Sequence, residues 1–139
     1  MTQEHPARAA AKRSISAAER RAKEEWLSLY ADDATVEDPV GPSPIDPEGK
    51  GHHGKEALAR FFDNNIANTR IKFEIKDSFA AGNECANVGS IHLTFADGST
   101  ARCDGVFVYR VNPDGKIASL RAFWEFDRMM KTIKPAPKS

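Results

Sequence analysis

At Arg70 the chain changes rhythm. Upstream, apolar residues recur every three or four positions; downstream they recur every two. Ile15, Ala18, Ala22, Trp26 and Leu29 form one stripe, the mark of a helix with a single buried face, and predict helix over residues 10–31. Leu58, Phe61, Phe62 and Ile66 predict a second helix over 55–67. Beyond Arg70, Ile71, Phe73 and Ile75 alternate with Lys72, Glu74 and Lys76. Strands are expected over 85–95, 100–111 and 117–126, with turns at Ala80-Ala81-Gly82-Asn83, Asp97-Gly98 and Asn112-Pro113-Asp114-Gly115. Helices followed by a meander give an α+β class, with the helices covering one face of an antiparallel sheet. Residues 1–9 and 128–139 are polar or contain proline and are expected to be loose, leaving 10–127 as the domain.

A sheet wet on one side should be polar on that side. Here Phe107, Tyr109 and Val111 lie on one face of the third long strand, and Val106 and Val108 lie on the other. Helices can cover only one face. A second copy of the chain is the simplest cover for the other, so a homodimer through the sheet is expected.

Composition removes several function classes. The 139 residues carry 20 Lys+Arg and 20 Asp+Glu, so no basic surplus exists for nucleic acid or an anionic membrane surface. No apolar run approaches a membrane span. The first residues, MTQEHPARAAAKRS, lack the apolar stretch of a secretory signal, and Cys85 and Cys103 have no ligand spacing. The expectation is a cytoplasmic protein with reduced thiols and no cofactor. His52-His53 is adjacent rather than at i, i+4, so no metal site is expected. The Pro- and Gly-rich loop over 42–54 is expected at the surface, bordering any cavity.

One carboxylate stands out. Over 34–38, period two places Asp38 on the side of Ala34 and Val36, while Thr35 and Glu37 take the other. A carboxylate on an apolar face needs a reason. It is either a partly desolvated general base, or a structural group that caps a turn at Pro39 or pairs with an arginine such as Arg60.

The string Tyr30–Gly41, YADDATVEDPVG, resembles the corresponding segment of bacterial Δ5-3-ketosteroid isomerases. GHHGKEALARFF resembles that family's second helix, and GVFVYRVNPDGKIASLRAFW resembles its last two strands. The resemblance spans about Ser14 to Trp124 and extends to the wider nuclear transport factor 2-like and SnoaL-like superfamily. It implies a curved antiparallel sheet wrapped around helices into a cone with an apolar cavity. It also implies that Asp38 is the base that moves a proton between two carbons of a 3-oxo-steroid or a similar flat, apolar ketone.

The chain departs from the family at the groups that hold the ketone oxygen. Aligned through Tyr30 without a gap, the family's helix Tyr falls on Ser14; aligned through Asp114-Gly115, its strand acid falls on Phe107; and its supporting Tyr on the second helix falls on Phe62. The candidates to replace them are His92, with Ser90 on the same strand face, and Tyr109. Phe62, Phe107 and Trp124 are expected to wall a flat ligand. Three functions follow from this reading. One is a steroid isomerase using Asp38, one is a binder of steroid-like ligands without turnover, and one is another reaction of the fold, such as polyketide cyclisation, dehydration or epoxide opening.

Overall fold

The computed structural model describes residues 4–138. Two helices lead: α1 (Pro6–Glu19) and α2 (Lys23–Ser28). Then come β1 (Tyr30–Glu37), the short β2 (His52–His53) and α3 (Gly54–Asn65). Four long strands follow, β3 (Arg70–Ala81), β4 (Glu84–Thr94), β5 (Thr100–Val111) and β6 (Ile117–Phe123), and then α4 (Phe126–Met130). The six strands make one open, curved sheet in the order β2-β1-β6-β5-β4-β3. Every pairing is antiparallel except β1 with β6.

The helices lie on the concave face. The buried side of α1 carries Ala7, Ala10, Ala11, Ser14, Ala17 and Ala18. Such small side chains let the helix axis come close to β3, β4 and β5, on which it packs. Leu58, Phe61 and Phe62 bury one face of α3, which packs on β1. Trp26 sits between the two groups, its ring 4.5 Å from Tyr30 and 5.5 Å from Phe62. Among the described residues, no helix is long and apolar enough to cross a membrane.

Several boundaries differ from the sequence reading by more than two residues or by an unmarked break. The helix expected over 10–31 is two helices with a break at Arg21, which takes φ 55°. The Arg21 N–H bonds to the Ala18 carbonyl and the Ala22 N–H to the Ala17 carbonyl, the double bond of a Schellman stop. Arginine occupies the position where glycine is usual, and the apolar stripe runs on through the stop, so the sequence does not mark it. The strand expected from Ala34 starts earlier, at Tyr30, and the one expected to reach 126 ends at Phe123.

The ends are also more ordered than expected. Helix begins at Pro6, His5 bonds the Gly82 carbonyl at 2.9 Å, and Arg8 bonds Ser78 at 3.0 Å. At the other end α4 forms, and Lys134 pairs with Thr100. The expected looseness of residues 1–3 and of Ser139 lies outside the described residues.

Candidate active site

Between the helices and the concave face lies a cavity of about 300 Å³. That is the lower end of the range for small-molecule sites. Its walls are apolar: Ile15 from α1, Phe61 from α3, Ile71 and Leu93 from β3 and β4, and Leu120 from β6. Ile45, Met130 and Ile133 line it and are also 40–46 % exposed, which marks them as the rim. The loop over 42–54 thus reaches the cavity through Ile45. The polar side chains in the lining are few: Ser14, Asp38, Asn65, Tyr109 and the thiol of Cys103, with the indoles of Trp26 and Trp124. The Asn65 amide donates back to the Phe61 carbonyl at 3.2 Å.

Asp38 follows the inward side chains Ala34 and Val36, both fully buried. Parallel pairing of β1 with β6 sets Val36 beside Leu120 and Glu37 beside Arg121, so the chain leaves β1 alongside Ala122 and Phe123. The Trp124 indole N–H then donates to Asp38 Oδ1 at 2.6 Å. No other hydrogen bond reaches this carboxyl among the described residues, and no cation pairs with it; Arg60 is exposed. Neither a turn-capping hydrogen bond from Asp38 nor an arginine pair to it is present among the described residues. Burial raises the Asp38 pKa above the usual carboxylate range, and the Trp124 hydrogen bond opposes this with a smaller effect. One oxygen is oriented by the indole, and the other is free to take a proton.

Gly105 helps bring Trp124 into place. A Cβ there would stand 2.3 Å from the Phe123 carbonyl oxygen and 3.0 Å from the Trp124 Cβ. The absence of a side chain lets the backbone after β6 lie against β5.

Ser14 and Tyr109 bring further hydroxyl groups to the site, and Tyr30 stands behind the first. Ser14 Oγ and the Tyr30 hydroxyl are 2.9 Å apart, and both side chains are buried. Tyr109 lines the cavity and is 2 % exposed, and its hydroxyl has no hydrogen-bond partner among the described residues. Burial pushes both phenols well above the ordinary tyrosine range, so both stay protonated and able to donate. Burial likewise pushes the Cys103 thiol up to about 12, which leaves it a neutral lining group.

The other sequence candidates fall elsewhere. His92 projects from the convex face, is exposed, and bonds Glu74 Oε1 at 2.9 Å. Ser90 shares that face and donates to Asp104 Oδ1 at 2.6 Å. Neither lines the cavity. Ile91 and Leu93 do, because the strand presents its odd-numbered side chains inward. A dehydratase-like pair of Asp38 with His92 is therefore excluded by the side of the sheet on which His92 stands. Phe62 packs on Trp26 in the core, and Phe107 packs edge-on against Phe73 with ring centroids 6.2 Å apart; neither is part of the cavity lining. Trp124 is in the lining, and its hydrogen bond to Asp38 is not legible in the sequence. The two lie 86 positions apart, and a parallel pairing of first and last strands joins them.

The SnoaL-like domain family matches residues 11–120, and the chain belongs to it, within the nuclear transport factor 2-like superfamily. Among solved structures, the Mycobacterium tuberculosis protein RV0760c is 36% identical over 96% of this chain and 98% of its own, with a TM-score of 0.87. RV0760c has also been solved in complex with estradiol-17β-hemisuccinate. Δ5-3-Ketosteroid isomerase from a Mycobacterium species is 36% identical over 94% of this chain and 98% of its own, with a TM-score of 0.85. A computationally designed 17-OHP binder reaches 36% identity and a TM-score of 0.86, covering 94% of this chain and 98% of that one.

Proposed function

We propose that this protein is a steroid isomerase-like enzyme, in which Asp38 moves a proton within a flat, apolar ketone of 3-oxo-steroid type. The observation that carries the reading is the lone carboxylate in an apolar cavity, its pKa raised by burial and one oxygen held by Trp124. The free oxygen takes a proton from the carbon next to the ketone, and the C–H electron pair moves into an enolate. The carboxylic acid then returns the proton to a carbon further along the conjugated system, which regenerates the carboxylate. No net proton or electron is gained, so the cycle needs no cofactor. A raised pKa brings the base closer to neutral pH and to the weak acidity of its substrate.

The test is conversion of a Δ5-3-oxo-steroid to its Δ4 isomer, read as the rise of conjugated-enone absorbance. Turnover in wild type and its loss in Asp38→Asn support the reading. No turnover leaves a binder of steroid-like ligands instead, and equal turnover in both takes the role of base away from Asp38.

The working unit in this proposal is a homodimer formed through the convex face. Register aligns Val88, Val106 and Phe123 in one row across β4, β5 and β6, and Phe79, Ala86 and Val108 in the next across β3, β4 and β5. Phe79, Val88 and Phe123 are exposed in the single chain. Glu74 and Asp104 lie beside Lys76, Arg102 and Arg128 on the same face, so a two-fold partner would set acid against base.

A further inference from the structure

Resting on the reading above, we infer that Tyr109 and Ser14, the latter backed by Tyr30, are the donors that hold the ligand's ketone oxygen, in place of the groups lost at Phe107 and Phe62. Tyr109 is a phenol 2 % exposed, in the wall of an apolar cavity, whose hydroxyl has no protein partner among the described residues. Ser43 Oγ is the one sealed side-chain polar atom without a partner among the described residues, so the Tyr109 hydroxyl opens onto the cavity and can donate to an acceptor bound there. Ketone and enolate oxygens are such acceptors.

Ser14 supplies the second donor through its pairing. The Tyr30 hydroxyl has the Ser14 hydroxyl as its hydrogen-bond partner, at 2.9 Å. A phenol is the more acidic of the two and the better donor. With Tyr30 donating to Ser14 Oγ, the Ser14 proton is left for an acceptor in the cavity that Ser14 lines. Tyr30 is thus a positioning residue, and Ser14 and Tyr109 are the groups in contact with the ligand.

The two donors also belong to one region. Both Ser14 and Tyr109 line the same cavity. Both Ser14 and Tyr109 are 2 % exposed, whereas the rim residues Ile45, Met130 and Ile133 are 40 % exposed or more. The oxygen end of the ligand therefore goes in first, and the hydrocarbon body fills the apolar part toward the rim.

The test compares two probes of the same shape: a steroid whose one oxygen is the 3-ketone, and its 3-deoxy counterpart. Wild type should bind the ketone at least ten-fold more tightly. Tyr109→Phe and Ser14→Ala should each weaken the ketone about five- to ten-fold and leave the deoxy probe within two-fold. Infrared difference spectra of the bound ketone should show its carbonyl stretch shifted down in wild type, and a smaller shift in Tyr109→Phe. Tyr30→Phe should reduce the shift less than Ser14→Ala does. Equal affinity of wild type for the two probes, or an unmoved carbonyl stretch in both Tyr109→Phe and Ser14→Ala, overturns the inference. Because the readout is binding, turnover that depends on Asp38 can persist while this assignment fails. Conversely, a protein that never turns over can still show the carbonyl shift.

Discussion

Asp38 joins sequence, stability and chemistry in one side chain. Folding moves its carboxyl from water into an apolar cavity and raises its pKa. The folded state therefore holds the proton to a higher pH than the unfolded chain does. Stability falls as pH rises from the ordinary aspartate value to the raised one. Asp38→Asn removes the buried charge, so it should raise Tm at neutral pH by a few degrees, on the order of 1 kcal/mol, while abolishing turnover. The gain should vanish below the ordinary carboxylate range, where both states are protonated; thermal melts across pH read this directly. A gain of equal size at every pH would show that charge burial is not its cause. Trp124 acts in the opposite direction on the same group, since its N–H favours the carboxylate. Trp124→Phe should move the acid limb of the pH–rate profile upward and lower turnover about ten-fold, the size expected for a hydrogen bond to a charged group. Period two over 34–38 was enough to turn Asp38 inward. It was not enough to find Trp124, because that contact depends on which strands pair rather than on local pattern.

At the scale of elements, local signals marked where helix gives way to sheet but not every stop within the helices. The αL residue that ends α1 is Arg21, at φ 55°. A side chain in that conformation costs about 1 kcal/mol that glycine does not incur. Arg21→Gly should therefore stabilise the fold by roughly 0.5–1 kcal/mol, seen as a rise in Tm or in the denaturant midpoint. The alternation on β4 was plain in the sequence, yet its assignment to cavity or solvent was reversed. His92 and Ser90 are candidates for the cavity in the sequence reading, whereas the packed sheet turns their face to the convex side. A strand has only two choices, so one error of parity moved both residues to the convex side. Gly105 is the reverse case, a residue without a side chain whose role only the packed structure reveals. Gly105→Ala should push the Phe123–Trp124 backbone away from β5. Activity should fall in this variant more than affinity for a ligand does, because the displaced indole orients the base; paired measurements of kcat and ligand Kd test this.

For the whole molecule, the two-sided sheet carries the next inference. The sequence showed apolar residues on both faces of β5, and the structure assigns one set to the cone and leaves the other on the convex surface. Val88, Val106 and Phe123 lie side by side across three strands, with Phe79 in the adjoining row. Such a row left in water forgoes the free energy of burying its apolar surface, about 25 cal/mol per Å². Mixed charges around it suit a two-fold partner better than a partner of one sign. Wild type should therefore sediment at about twice the 15.3 kDa chain mass. Val88→Glu would place a carboxylate in the row and should shift the species to the single-chain mass while leaving the far-ultraviolet dichroism unchanged. The cavity opens on the other side of the sheet, so this variant should keep its affinity for a steroid probe if the cone folds without help from a partner. A parallel fall in affinity and mass would instead mean that the sheet's curvature, and with it the cavity, depends on the second copy. A wild type that sediments as a single chain at micromolar concentration would leave the convex row without its proposed cover.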